Sequence, residues 1–258
     1  MTLISDFHSH VSRSSAEQMA QSAREKGLQI LGLSEHDFQM TEARPLLPHM
    51  PQEGQMLSFA EYIEAVQAAG SKADIDVRLG LEVDFVPGKN EQIQAAIAGY
   101  PWDFLIGSVH EIDGKLFELG NGRSREEGEL LWQHYFHLLR EAVSSGYFSL
   151  VSHPVRMRAT NPYVPATIDD ELEQLAAEAT RQDIALEING SDMLGYADLV
   201  RRLAKACVLH HTPVSIGSDA HRPFQVAKAH QQSEALLREV GIKQVRIWKQ
   251  REPEEYEI

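Results

Sequence analysis

Short apolar runs alternate with longer amphipathic stretches along almost the whole chain. The apolar runs predict strands, and the stretches with apolar residues three or four positions apart predict helices. We predict strands near residues 3–8, 29–34, 77–84, 103–109, 147–152, 184–189 and 213–218. We predict helices near residues 15–27, 58–70, 89–99, 125–145, 169–182, 194–211 and 224–240. The chain therefore reads as seven consecutive β/α units.

Strands that are apolar over most of their length, each followed by a helix, are typical of a parallel sheet covered by helices. We predict an α/β fold, a distorted (β/α)7 TIM-like barrel, in one domain spanning residues 1–258. The apolar segment 244–249 is either an additional strand or a strap across the barrel. The segment 38–57 holds three prolines and little periodicity. It is either a lid over a site or a plain surface loop.

Composition narrows the class of protein. Hydrophobic residues make up 43% of the chain and charged residues 24%, as in folded globular proteins. No apolar run approaches the roughly 20 residues that span a bilayer, and the N-terminus lacks the features of a secretory signal. We therefore expect a cytoplasmic protein. The net charge of −14 argues against nucleic-acid and membrane partners. The oligomeric state is left open.

The chain has one cysteine, Cys207, which excludes an internal disulfide and leaves histidine and carboxylate side chains as the plausible metal ligands. Such side chains recur where the predicted strands end: His8, His10, His36, Glu82, His110, His153, Asp219 and His221. The carboxyl ends of parallel barrel strands open on one face. We therefore expect these side chains to converge into one cluster that suits Zn, Mn or Fe.

The remaining histidines lie elsewhere in the predicted elements. We expect solvated or packing roles for His49, His134, His137, His210, His211 and His230. His210 and His211 end a predicted helix, where histidine interacts favourably with the helix dipole.

The segments DFHSH, GLSEHD, GLEVDF, GSVHEIDG, SHP, EINGS and GSDAH occur in this order along the chain. In sequence and spacing they resemble the polymerase-and-histidinol-phosphatase (PHP) superfamily of metal-dependent phosphoesterases. The resemblance covers nearly the whole chain. WDFLIGSVHEIDG, GSDAHRPFQVAKA and the closing VRIWKQREPEEYEI resemble the histidinol-phosphatase branch in particular.

The resemblance implies two to three divalent metal ions. One metal would be held by His8, His10, Glu82 and Asp219, a second by Glu82, His110 and His153, and a third by His36 and His221. Many members complete the third metal from the position of Ser15, and serine is a poor ligand. We therefore expect the third site to be weak, completed by water, or empty in the purified protein. Ser14 and Glu17 also have the spacing of a capping box for the helix near 15–27.

The resemblance further implies a phosphatase acting on a small phosphorylated substrate, with L-histidinol phosphate as the leading expectation and histidine biosynthesis as the pathway. We expect a hydroxide between the Glu82-linked metals to attack phosphorus, without a phosphoenzyme. Another small phosphomonoester or nucleotide is the second interpretation. An inactive metal-bound module is the third.

Two further sets of residues are candidates for the substrate. Glu35, Asp37, Glu111 or a coordinated water can protonate the leaving group, and Glu35 and Asp37 can instead orient metal ligands. Arg156 and Arg158 are the preferred phosphate clamp, because guanidinium matches phosphate geometry. Arg222 is the alternative to them, and Asn189 either bonds substrate or caps a turn. The arginine that the branch usually carries after its Glu-x-Asn sequence is replaced here by Met193 and Leu194.

Overall fold

Seven parallel strands, one from each predicted β/α unit, form the central sheet of the computed structural model, which describes residues 3–52, 54–117 and 123–258. The strands are β1 (Ser5–Asp6), β2 (Ile30–His36), β3 (Asp76–Asp84), β4 (Phe104–Ser108), β5 (Glu111–Ile112), β6 (Lys115–Leu116), β7 (Leu150–Val151), β8 (Ala185–Asn189), β9 (Val214–Gly217), β10 (Gln244–Lys249) and β11 (Glu252–Glu257). The sheet runs β1-β2-β3-β4-β7-β8-β9 with every neighbouring pair parallel.

The first and last strands of this sheet meet and bring the barrel to near closure. The Phe7 amide donates to the Ile216 carbonyl at 2.9 Å, and the Asp219 amide donates to the His8 carbonyl at 2.7 Å. Ser9 and Ala220 form a parallel bridge further along. The prediction of a distorted (β/α)7 barrel is therefore confirmed.

The helices surround the barrel. They are α1 (Ala16–Glu25), α2 (Phe59–Ala73), α3 (Asn90–Ile97), α4 (Arg125–Ser144), α5 (Ile168–Arg181), α6 (Gly190–Gly195), α7 (Ala197–His210) and α8 (His230–Val240). Serine side chains start several of them, and Ser58 and Ser124 form capping boxes with the glutamate three residues later. At α1 the cap is Ser15, whose side chain accepts from the Gln18 amide. The prediction of a Ser14–Glu17 capping box was wrong by one residue.

The last helix begins later than its apolar pattern predicts. The prediction placed it from residue 224, but a 3-10 turn, Pro223–Gln225, comes first and α8 begins at His230. Ala227 and Ala229 both have a left-handed backbone, with φ of 56° and 61°. Such residues cannot lie inside a right-handed helix, so the apolar periodicity of this segment belongs to a turn, whose Ala227 amide donates to Asp6.

The segment 244–249 is a strap and not a barrel strand. It is β10, which pairs antiparallel with β11 in a separate hairpin. Trp248 of this hairpin packs against Phe7 and Phe104 inside the barrel, at the end where the parallel strands begin. The hairpin thus closes the amino-terminal end of the barrel. Across the described residues, none of the helices is both long and apolar enough to cross a membrane.

Candidate metal centre

The predicted ligand side chains converge at the carboxyl-terminal ends of the barrel strands. The donor atoms form three overlapping groups, and within each group they lie within 4.8 Å of one another. The groups are His8, His10 and Glu82; His36, Glu82 and His110; and His10, His36 and His221. His153 and Asp219 contact the same cluster. The fold therefore brings all eight predicted ligands together, as the barrel argument requires.

Glu82 lies at the centre of the cluster and is fully buried on β3. Its Oε2 atom is 2.8 Å from His36 Nδ1 and 3.1 Å from His8 Nε2. His10 Nε2 is 3.6 Å from the same oxygen. One carboxylate oxygen therefore faces three imidazoles from two neighbouring strands.

The other oxygen of Glu82 faces the opposite side of the cluster. Glu82 Oε1 lies 3.2 Å from His153 Nε2 and 3.5 Å from His110 Nε2. The Ser108 hydroxyl donates to it at 2.6 Å and fixes the carboxylate plane. With imidazoles on both sides, Glu82 has the geometry to bridge two cations.

Asp219 adds the second carboxylate of the cluster. Its Oδ1 atom lies 3.4 Å from His10 Nε2 and 3.9 Å from His8 Nε2. Its Oδ2 atom accepts a hydrogen bond of 2.6 Å from Arg156. Asp219 and His153 both have positive φ, 56° and 30°. This conformation is strained for residues other than glycine, and the surrounding structure must hold it in place.

The third group of donors contains histidines alone. The ring of His10 stacks on those of His36 and His221, each with centroids 4.2 Å apart. Ser15 is exposed at the N-terminus of α1 and is not part of the group. As the sequence predicts, the residue at position 15 adds no ligand to this third group. His10 lies next to His36 and His221 instead.

Several buried donor atoms in the cluster lie close to one another but make no hydrogen bond of suitable geometry with the described residues. They are Glu82 Oε2 and the ring nitrogens His8 Nε2, His10 Nδ1, His10 Nε2 and His36 Nδ1. An unsatisfied buried polar atom costs about 1–3 kcal/mol, so a cluster of them needs an explanation. Imidazole nitrogens and carboxylate oxygens facing one point fit divalent metal ions.

The two carboxylates are ionised in spite of their burial. Burial alone would raise the pKa of Glu82, but His8 and His36 hold this pKa well below its usual range. Burial also opposes ionisation of Asp219, and Arg156 and His8 outweigh it, so the pKa of Asp219 is low as well. Both carboxylates are therefore available as anionic ligands for a cation.

The histidines respond to these charges in two ways. Burial disfavours protonated His8 and His10, but Glu187 and Glu82 raise the pKa of His8, and Asp219 and Glu35 raise the pKa of His10 to about 9. Burial and the nearby His10 lower the pKa of His221 to about 3. Because a ligating imidazole must be unprotonated, a bound metal would displace protons from His8 and His10.

Glu187 holds two of the ligands in place. Its Oε1 atom lies 2.8 Å from His8 Nδ1, and its Oε2 atom accepts the His153 amide at 2.8 Å. A Cβ atom on Gly217 would lie 2.1 Å from Glu187 Oε1 and 2.3 Å from His8 Cβ, so only glycine leaves room for this pair. The sequence places Glu187 at a strand end, but it does not reveal this role.

Asp37 and Asp84 form a buried carboxyl pair behind another ligand. Asp84 Oδ1 lies 2.9 Å from His110 Nδ1, so it orients that ring. Asp37 Oδ2 accepts the Asp84 amide at 3.2 Å. Burial and the charge of Asp84 raise the pKa of Asp37 well above its usual range. Asp84 was missed in the sequence, although its position two residues after Glu82 on one strand is the signal that could have found it.

Glu35 is an ionised carboxylate that supports the loop after β1. It accepts the amides of Val11 and Ser12 at 2.7 and 2.6 Å and lies 3.5 Å from His10 Nδ1. Burial alone would raise the pKa of Glu35, but the interactions with His10 and His36 outweigh burial and lower this pKa to about 2. Glu35 is therefore a poor proton donor, and its contacts suit the orienting role.

A cavity of about 260 Å³, here called the central cavity, opens above the ligand cluster. Phe38, Met50, Pro51 and Leu116 form its apolar wall. Three of them belong to the proline-rich segment 38–57, in which residue 53 lies outside the described part of the chain. Of the two interpretations of this segment, the structure supports a segment that covers the site, because three of its residues line the cavity.

The wall is fastened by a contact that the sequence did not predict. The imidazole of His49, in the proline-rich segment, contacts the Glu111 carboxylate on the β5–β6 hairpin. His49 was predicted to have a solvated or packing role. Glu111 is buried by this contact and does not line the central cavity, and Glu35 and Asp37 do not line it either.

The structure separates the four predicted substrate-binding residues. Arg156 lines the central cavity and donates to Asp192, Asn189 and Asp219. Asn189 caps α6 and holds Arg156, without lining the cavity. Arg158 is directed elsewhere, with its guanidinium carbon 5.4 Å from the centroid of the Tyr196 ring. Arg222 lines a neighbouring cleft.

Comparison with known proteins agrees with this geometry. The chain is 28% identical over 262 residues to a probable histidinol-phosphatase of Deinococcus radiodurans, covering 93% of this chain and 95% of that protein. It is 24% identical over 236 residues to a probable phosphatase of Shewanella piezotolerans, covering 88% and 81% of the two chains.

A solved structure of histidinol phosphate phosphatase from Lactococcus lactis, complexed with zinc, L-histidinol and phosphate, has a TM-score of 0.75. The match covers 97% of this chain and 98% of that chain at 19% identity, which shows a shared fold. The PHP domain family model matches residues 4–191, the segment that contains His8, Glu82 and His153. The chain belongs to the PHP domain family.

Proposed function

We propose that this protein is a metal-dependent phosphatase that hydrolyses L-histidinol phosphate to L-histidinol and inorganic phosphate. The observation that carries the proposal is Glu82, whose two oxygens face separate sets of imidazoles. The probable histidinol-phosphatase of Deinococcus radiodurans, similar over nearly its whole length, supports the choice of substrate. So does the Lactococcus lactis neighbour, which holds L-histidinol and phosphate.

We propose that the cluster holds two to three divalent ions of Zn, Mn or Fe. The first would be held by His8, His10, Glu82 and Asp219, the second by Glu82, His110 and His153, and the third by His36 and His221 with His10 beside them. Bound there, such ions lower the pKa of water, neutralise phosphoryl oxygens and align the attack.

Arg156 is the proposed phosphate clamp within the central cavity. Its guanidinium is fixed by bonds of 2.6 Å to Asp192 and 2.6 Å to Asp219, so it is pre-organised beside the ligands. A planar guanidinium can bind two phosphate oxygens at once. Arg222, one residue after His221, lines the neighbouring cleft and not the central cavity, so it is not part of this clamp. Arg158 stacks on Tyr196 and lies outside the cavity, so we leave it out.

The apolar wall is the proposed binding surface for the leaving group. Phe38, Met50, Pro51 and Leu116 can cover the carbon skeleton and the ring of histidinol and exclude water from them. Glu111, held by His49 on the hairpin, keeps this wall in place. Because Glu35 and Asp37 also lie outside the cavity, we propose that the departing alkoxide takes its proton from water.

A panel of phosphate esters tests the substrate. We expect the metal-loaded protein to show a kcat/KM for L-histidinol phosphate at least about 100-fold above that for an aryl phosphate, because the leaving group contributes binding that an aryl ester lacks. Nucleoside monophosphates serve as the control for other small phosphomonoesters. An equal efficiency for histidinol phosphate and the aryl ester would refute the assignment.

Metal analysis tests the centre independently of the substrate. We expect at least two equivalents of divalent metal per chain, and loss of activity on chelation with recovery on adding the metal back. Retained activity in a chelated, metal-free protein would contradict the proposal. Detection of a phosphorylated side chain during turnover would contradict direct attack by water.

A further inference from the structure

A second cleft opens beside the central cavity and is rich in positively charged side chains. It encloses about 310 Å³, and Arg13, Arg222 and Lys228 line it together with Ser191 and Gln225. The three cations come from the loop after β1, the turn after β9 and the segment before α8, so the folded barrel brings them together. We call this space the basic cleft.

The basic cleft shares a wall with the central cavity. Arg156, Asp219 and His221 line both spaces. The basic cleft therefore lies directly beside the central cavity, separated from it by these three side chains.

The charge in the basic cleft is opposite to that of the protein as a whole. The chain carries a net charge of −14, yet four arginine and lysine side chains line this cleft beside a single carboxylate. That carboxylate is Asp219, whose Oδ2 atom is already bonded to Arg156 at 2.6 Å. Arg156 is also bonded to Asp192, outside the lining. Among the described side chains that line the cleft, cations outnumber carboxylates, which favours the binding of anions.

The donors in the cleft suit a tetrahedral oxyanion. Lys228 Nζ makes one long contact, 3.4 Å, with the Asp219 carbonyl, and its ammonium can donate three hydrogen bonds. The oxygen of Gln225 accepts the His221 amide, which leaves the NH₂ group of Gln225 as a donor. Burial lowers the pKa of Lys228, as expected of an ammonium that is poorly hydrated.

We propose that the basic cleft binds a phosphate dianion outside the metal centre, through Arg13, Lys228 and Gln225. The phosphate has two possible sources with the same chemistry: the inorganic phosphate released by hydrolysis, on its way out, and a second phosphoryl group on a bis-phosphorylated substrate. The first source rests on the proposed phosphatase function, whereas binding of phosphate to the cleft does not.

Direct binding tests the cleft without any turnover. Isothermal titration of the metal-loaded protein with inorganic phosphate should show two binding events, one at the metals and one in the cleft. The double variant Arg13→Met with Lys228→Met should keep the first and lose the second. A single binding event in the wild-type protein, or a second event that the double variant retains at full affinity, would overturn the proposal.

A matched control separates the cleft from a general charge effect. Lys205 is exposed on α7, outside both spaces, and Lys205→Met removes the same charge as Lys228→Met. We expect Lys228→Met to weaken the second event at least about tenfold, since a hydrogen bond to a charged group contributes this much. Equal weakening by Lys205→Met would contradict the assignment. Thermal unfolding verifies that each variant is folded.

Kinetics distinguish the two sources of phosphate. If the cleft receives the product, Lys228→Met raises the inhibition constant of inorganic phosphate during histidinol phosphate hydrolysis. If it receives a second phosphoryl group, the wild type prefers a bis-phosphate over its matched monophosphate, and Lys228→Met abolishes the preference. Either result supports the cleft. If Lys228→Met is folded and active but shows neither of these changes, a role for the cleft is refuted.

Discussion

The two ends of the barrel differ in what they bury: apolar side chains at the amino-terminal end and polar metal-binding side chains at the carboxyl-terminal end. At the amino-terminal end, Phe7, Phe104 and Trp248 form a tight apolar cluster, with the rings of Phe7 and Phe104 only 4.8 Å apart. At the carboxyl-terminal end, His8, His10 and Glu82 are buried to the same extent, yet several of their donor atoms make no hydrogen bond to a described residue. The side chains at one end pack against one another, whereas those at the other end present donor atoms suited to metal ions.

This difference shows where the fold is stabilised and where the chemistry is placed. Apolar burial contributes about 25 cal/mol per Å², and the amino-terminal end gains it without a compensating cost. The carboxyl-terminal end has unsatisfied polar atoms and strained backbone at His153 and Asp219. Changes at the two ends should therefore separate stability from activity.

The largest effect is expected from removing a ligand. Asp219→Asn or His110→Ala should lower kcat by about four orders of magnitude, because the metals supply several kcal/mol of transition-state stabilisation. The fold should persist, since neither side chain packs in the apolar cluster. Steady-state kinetics, metal analysis and circular dichroism on each variant measure this.

The control for these variants is Lys205→Met, on the exposed face of α7. It should match the wild type in kcat and in metal content. Near-normal turnover in Asp219→Asn or His110→Ala, with metal retained, would remove the carboxyl-terminal cluster from the mechanism.

At the opposite end the expected loss is of stability. Phe104→Ala should lower the free energy of unfolding by about 3–5 kcal/mol, because it empties space that no neighbour can fill. The Phe104 ring lies against Gly32 and Gly80, where a Cβ atom would approach it within 3 Å. Urea unfolding and kcat per folded molecule, measured at low temperature, are the two readouts.

Leu209→Ala is the matched control for Phe104→Ala, because Leu209 is 60% exposed and its loss should change unfolding little. The kcat of folded Phe104→Ala should equal that of the wild type. A Phe104→Ala variant with normal stability and reduced kcat would contradict the assignment of stability to the amino-terminal end.

A smaller effect on activity is expected from the residues behind the ligands. Glu187→Gln should reduce metal affinity or kcat/KM by about 10- to 100-fold, as usual for partners that orient ligands. Glutamine keeps the shape of the side chain but loses the negative charge that faces His8 Nδ1. Titration with a competing chelator measures the change in metal affinity. An unchanged affinity would mean that His8 needs no orientation.

The sequence predicted the fold and the ligand cluster because both depend on repetition. Each β/α unit has its own apolar strand, and strands such as those ending in His36, Asp84 and Asn189 were located within two residues. Parallel strands in a barrel then place their carboxyl ends together whatever the sequence separation. His8 and Asp219, which are more than two hundred residues apart, could thus be assigned to one site.

Contacts made by single side chains could not be predicted in this way. The His49–Glu111 contact joins a loop to a hairpin, and neither element has a periodic pattern. Arg158 was predicted to bind phosphate because it carries a guanidinium, but in the 3-10 turn Arg156–Ala159 its side chain lies against Tyr196. Such orientations follow from local backbone geometry that residue spacing does not encode.

The helical layer between the two ends is the third region, and it should respond least. Cys207 is buried on α7, and burial raises the pKa of its thiol to about 12. At pH 8 the folded protein should therefore resist iodoacetamide and keep full activity, because only the thiolate reacts. Denatured protein, as the control, should take up one equivalent by mass spectrometry. Fast labelling of the folded protein would mean that this layer opens far more readily than the packed amino-terminal end, and stability could then no longer be assigned to the apolar core as a whole.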